Sequence, residues 1–154
     1  MFTTPKQLID KTGINVLVQF ANGKFGSPGT RITDEDVIAA LEGNPITELQ
    51  QQINAWYTQG FKNVNAIIIG YTAKLKLSQD EIESSVLPGI AIDLLTYELA
   101  PNSSDEDNQT KKKDALALLE KVSKGLIQIK DDAPVVRAGM RTKAAGTQFN
   151  WAGY

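Results

Sequence analysis

The chain has 154 residues, a formal net charge of -2 from 16 basic and 18 acidic side chains, and neither cysteine nor histidine. Its length suits one domain, and its 42% hydrophobic and 22% charged content is that of a water-soluble globular chain. The two missing residue types exclude disulfides, thiolate zinc sites, cysteine nucleophiles, imidazole ligands and a Ser-His-Asp triad, which leaves only carboxylates, Lys and Tyr for acid–base work and makes a non-enzymatic role the expectation.

Thr4 reads as an N-cap, Pro5 as N1, Leu8 and Ile9 as an apolar face and Gly13 as the C′ residue, which predicts a short helix over residues 5–12. Ile14, Val16, Leu17, Val18 and Phe20 fit either a strand or a second helical stretch. Residues 21–30 hold three glycines and a proline and read as loop. Lys24 follows Gly23 as in a phosphate loop, but Phe25 stands where that motif needs a hydroxyl, so a surface loop is expected.

Thr33 opens the next helix, with Asp34, Glu35 and Asp36 at its positive end and no EF-hand spacing among them. Val37, Ile38 and Leu41 form its apolar face, and Gly43-Asn44-Pro45 ends it. Thr47 caps a third helix over residues 47–58, with Leu49, Ile53, Trp56 and Tyr57 on one side and Gln50, Gln51, Gln52 and Asn54 on the other, closed by Gly60. Residues 63–77 admit two readings. Ala66-Ile67-Ile68-Ile69 suits a buried strand, whereas Val64, Ile67, Ile68, Tyr71 and Leu75 fit a helical stripe.

Ser78-Gln79-Asp80-Glu81 is a capping box, and Ile82, Val86, Ile90, Leu94 and Tyr97 then recur near the helical period. Pro88-Gly89 either kinks this helix or starts a second one. Leu94, Leu95 and Leu99 place it at the centre of a bundle. After a polar connection over residues 101–109, Asp105-Glu106-Asp107 opens the last helix, a divalent-cation site being the weaker use of that cluster. Ala115, Leu118, Leu119 and Val122 form its buried stripe, and Lys111, Lys112 and Lys113 a solvated face. Lys121 and Lys124 sit at its negative end, Gly125 is C′, and Leu126 is expected to pack back on the last turn.

From residue 133 onward the only charges are Arg137, Arg141 and Lys143, and the aromatics Phe149, Trp151 and Tyr154 cluster at the end. Such a segment has too few aliphatics for a core of its own, but aromatics near cations are good interface anchors. Residues 131–154 therefore read as an extended C-terminal arm that folds onto a partner, and these six side chains as the candidate protein-interface site. No catalytic, cofactor or metal site is assigned. The longest apolar runs fall far short of the ~20 residues of a spanning helix, and the N-terminus lacks a signal-peptide pattern, so the expectation is a soluble intracellular protein without membrane contact.

Taken in order, these motifs resemble the Mu-like bacteriophage neck proteins, a family of head–tail connectors or adaptors. The opening TTPKQLIDKTG (3–13) is similar to their first helix, AIIIGYTAKLKL (66–77) to an isoleucine-rich helix, LPGIAIDLLTYEL (87–99) to the helix that follows, and ALALLEKVSKGLIQI (115–129) to their closing segment. Lys74 and Lys76 stand where an Arg-Tyr pair and a Pro are usual, and 43–64 looks like an insertion. The resemblance implies that residues 63–77 are helical. It implies an all-α fold, a small bundle of about five helices over 1–130 with the 131–154 arm attached. It further implies a dodecameric ring of copies between the portal protein and a tail-side neck or tail-terminator protein, at the head–tail junction of the virion. Before assembly the protein would be in the host cytoplasm, and double-stranded DNA would pass through the ring without sequence-specific binding. A body that is not basic suits such a channel, because dense cations would trap phosphates.

Two other classes compete. A helical nucleic-acid-binding regulatory module would use Lys111–Lys113 and the arm, but its one groove-reading candidate, the Gln50–Asn54 face, is not basic. A carboxylate enzyme built on Asp80, Glu81 and Glu83 is weaker still, since a capping box already accounts for the first two.

Overall fold

A computed structural model describes residues 1–100 and 106–129. Those residues form seven α-helices and one 3₁₀ turn, with no strand among them. The helices are α1 (Pro5–Thr12), α2 (Ile14–Phe25), α3 (Asp34–Leu41), α4 (Glu48–Thr72), α5 (Gln79–Glu83), α6 (Leu87–Leu99) and α7 (Glu106–Ser123). The all-α expectation holds. The count exceeds five partly because residues 14–25 are helical and because Pro88 separates α5 from α6 rather than kinking one helix.

One local device starts four of the helices. Thr4, Thr33, Thr47 and Ser78 each accept a hydrogen bond from the N3 backbone N–H, while the N3 side chains Gln7, Asp36, Gln50 and Glu81 accept from the cap's own N–H. Gly13 joins α1 to α2 by a single residue at φ +87°, a conformation open to glycine at no steric cost. The expected loop begins later than residue 21, since α2 runs on through Asn22-Gly23-Lys24. Asn22 explains the extension. Its Nδ2 donates to the Val18 and Ile32 carbonyls at 2.9 and 3.1 Å, and its Oδ1 accepts from the Ile32 N–H at 3.0 Å, which pins the returning chain and buries Ile32.

Helix α4, about 37 Å long at 1.5 Å per residue, is the axis on which α2, α3, α6 and α7 pack. Gly60 does not end it. A Cβ at this position would lie 3.1 Å from Leu95 Cδ1 and 3.2 Å from Leu99 Cδ2, so the glycine lets α6 approach α4 closely. Residues 66–69 lie inside α4, and the strand reading of 63–77 fails because Val64 and Ile68 belong to the same buried helical face as Ile53, Tyr57 and Phe61. Tyr57 is buried, its hydroxyl donates to the Leu17 carbonyl at 3.3 Å, and burial pushes its phenol pKa up. Helix α6 is covered over most of its surface, with Ile90, Leu94, Leu95 and Leu99 all buried.

Several expected core residues face outward instead. Ile38 (36% exposed) shares a stripe of α3 with Asp34 and Glu42, away from the faces covered by α2 and α4. Ile67 and Tyr71 sit at the edge of the α4 apolar face and keep more than a third of their surface. Gly125 does adopt the left-handed conformation, and the Leu126 N–H reaches the Lys121 carbonyl at 2.9 Å, but the Leu126 side chain is 72% exposed. None of the described helices is long and apolar enough to cross a membrane.

Candidate functional site

The six residues expected to form an interface, Arg137, Arg141, Lys143, Phe149, Trp151 and Tyr154, lie outside the described residues. Within the described body two surface features stand out, a polar-rimmed groove and an exposed corner.

The groove, of about 530 Å³, runs between α1, α2, α6 and α7. Val16, Phe20 and Ile92 supply apolar wall, and Gly89 opens space between them. Thr12 and Thr96 join α1 to α6 across it through a 3.3 Å hydroxyl–hydroxyl hydrogen bond. Lys11, at the end of α1, and Lys111, on α7, stand at the rim, and neither forms an ion pair with another described residue. Asp93 is the one carboxylate lining the groove, and its pKa is raised by desolvation against the walls and drawn back by Lys111. The groove therefore offers two cationic heads and one carboxylate above an apolar floor.

The corner lies between α3 and α4. Gln50 Oε1 accepts from the backbone N–H of Ile46 at 2.8 Å and of Thr47 at 3.3 Å, while its Nε2 donates to Asp36 Oδ1 at 2.9 Å. Asn54 Nδ2 donates to the Ala40 carbonyl at 2.6 Å and ties the two helices again. The hydrogen bond from Gln50 first, and those from Thr33, hold the Asp36 carboxyl below its ordinary pKa. On this fixed backbone the Ile46 side chain is 87% exposed. Exposed Asp34, Glu35, Glu42 and Glu48 surround it in sequence, and no Lys or Arg occurs between residues 32 and 61.

Other residues singled out in the sequence have local structural uses. Lys24 lies in the last turn of α2 with its ammonium 5.6 Å from the Trp56 ring centroid, and Phe25 meets Trp56 edge-on at 5.5 Å. Lys112 sits 4.0 Å over the Tyr97 ring, so it braces α7 on α6 instead of being fully solvated, while Lys111 and Lys113 are exposed. Glu81 caps α5 and Glu83 accepts from Gln79, so two of the three α5 carboxylates are occupied locally, Asp80 being exposed in the first turn. On the glutamine-rich side of α4, Gln50 and Asn54 are spent on the corner, and Gln51 and Gln52 remain at the surface. No group of three or more acidic side chains converges as a metal site among the described residues. Sequence reasoning missed the corner because Gln50 looks like a solvated glutamine until its three partners are placed. The signal that could have found it is Thr47-x-x-Gln50, a capping box in the sequence.

A family model described as "Bacteriophage Mu, Gp36" matches residues 2–144, through the body and past residue 131. Neither a curated protein nor a solved structure matches the chain.

Proposed function

The chain belongs to the Bacteriophage Mu, Gp36 family, and on that premise we propose that it is a structural virion protein, a head–tail connector that forms a ring between portal and tail around the DNA channel. The observation that carries this reading is the family match over nearly the whole chain. The α-helical body adds support: capping boxes use Asp36 and Glu81, and its groove and its exposed corner are suited to contacts with protein. The role is one of assembly and not of catalysis. Its partners are further copies of itself, the portal protein and a tail-side protein, and the segment 131–154 with Arg137, Arg141, Lys143, Phe149, Trp151 and Tyr154 is the anchor for one of them. A channel must let duplex DNA slide, and a chain with a formal net charge of -2 suits that, because dense cations would trap phosphates.

The test is genetic and structural. Removing the protein from the phage should yield DNA-filled heads and free tails that do not join, and electron microscopy of intact particles should show it as a ring at the junction. Infectious particles made without it, or its absence from purified particles, would overturn the proposal. Removing residues 135–154 should leave a folded helical body that fails to enter particles.

A further inference from the structure

We infer that the α3–α4 corner of one copy docks into the α1/α2/α6/α7 groove of the next, so that the chain associates head to tail with itself. This inference rests on the connector reading for its biological setting, but its argument is independent of it.

A lone exposed isoleucine is ordinary. Ile46 differs in that its backbone is immobilised while its side chain is left without a partner. It occupies the position before the N-cap Thr47, where an apolar residue often packs on the N4 residue of the helix. Here N4 is Gln51, which is polar and exposed, so no such staple forms. The Gln50 bonds hold the Ile46 N–H in place all the same. The result is a branched apolar knob, 87% exposed, with Ile38 as a second exposed apolar residue on α3 and four exposed carboxylates, Asp34, Glu35, Glu42 and Glu48, near it in sequence.

The groove has the complementary character. Val16, Phe20 and Ile92 offer an apolar floor, and Lys11 and Lys111 offer exposed cations at its rim, Lys111 partly engaged by Asp93. Charge complementarity of this kind selects partner and register. Corner and groove share no residue, so one copy can use both at once. A contact between two different patches of the same chain is heterologous, and such contacts close into rings when the rotation between copies allows. Asp93 is the one groove carboxylate that opposes the incoming acidic corner, and Lys111 partly offsets it.

The experiment uses the full chain and reads self-association by sedimentation velocity, together with cross-linking. Glu35→Lys with Glu42→Lys makes the corner basic, and Lys11→Glu with Lys111→Glu makes the groove acidic. All four side chains are exposed, and reversing the helix-end charges at Glu35 and Lys11 should cost no more than about 1 kcal/mol each, so both variants should stay folded in thermal unfolding. Each double variant alone should self-associate about tenfold more weakly or worse. An equimolar mixture should regain association, because each variant's altered patch then meets the other's. Asp93→Asn should tighten association, and Ile46→Asp should abolish it.

Because the chain has no cysteine, Ile46→Cys in one copy and Asn108→Cys in another give an unambiguous cross-link across the proposed contact. A mixture of the reversed variants that stays dissociated overturns the inference, as does association that both variants retain unaltered. Absence of the 46–108 cross-link at up to about 1 mM protein, which would leave less than about 4 kcal/mol for the contact, overturns it as well. Infectious particles built from either reversed variant would remove this interface and leave the virion role standing. Head-to-tail association by a protein missing from purified particles would leave the interface standing and remove the role.

Discussion

Leu95 and Ile46 are both large aliphatic side chains at helices, and the molecule uses them in opposite ways. Leu95 is fully buried on α6 and reaches the space left by Gly60 on α4. Ile46 is 87% exposed on a turn whose backbone is held by Gln50. Around Leu95 the helices are fitted to the side chain; around Ile46 the backbone is fitted and the side chain is left over. The contrast separates residues that hold this fold from residues that the fold holds out.

The contrast breaks most sharply at Leu95. Leu95→Ala should cost about 2–5 kcal/mol through lost burial and an unfilled cavity, read as a lowered midpoint in urea unfolding; a loss below ~1 kcal/mol would mean that α4 and α6 collapse onto the gap. Gly60→Val should cost about 1–3 kcal/mol by the same measurement, because the added methyls enter the space of Leu95 and Leu99. Tyr57→Phe removes the bond to the Leu17 carbonyl and should cost about 1 kcal/mol. That substitution tests whether α4 is tied to α2 by more than packing.

The corner answers to pH instead. The folded pKa of Asp36 is depressed, chiefly by Gln50, so its stabilising contribution is present above the unfolded value of about 3.9 and is lost as pH falls through the folded value. Gln50→Ala should shrink this acid-side loss in a stability–pH profile; an unchanged profile would show that Thr33 alone sets the Asp36 pKa. The smallest effect is expected at Ile46→Ser, within about 0.5 kcal/mol of the parent, since so little surface is buried there. A large loss would place Ile46 among the residues that hold the fold.

Much of the architecture was legible from local signals. The N-caps at Thr4, Thr33, Thr47 and Ser78 and the C′ glycine at Gly125 lie where the sequence places them, and Gly13 ends α1 as expected, though as its C-cap and not as C′, because a cap is decided by residues within one turn of it. The errors have a different origin. Gly60 resembles a helix stop until Leu95 and Leu99, more than 30 residues away, are brought against it. Asn22 lies in a glycine-rich stretch and reads as loop, yet its bonds to Ile32 keep α2 going. Ile38 fits an apolar stripe, but whether that stripe is covered depends on where α2 and α4 pass. Among the functional features, the corner had a cap motif in the sequence, while the groove had none. Lys11, Asp93 and Lys111 are about 80 and 20 residues apart and meet only in the fold. The interface residues from Arg137 to Tyr154 were drawn from composition alone and lie beyond the described body.

The bonds that build the corner and the groove span very different lengths of chain. Asp36–Gln50 and Ala40–Asn54 each bridge 14 residues, whereas Thr12–Thr96, which joins the groove's walls, bridges 84. Short loops close at lower entropic cost than long ones, and near contacts form early in folding. A newly made subunit should therefore display its knob before it possesses a socket.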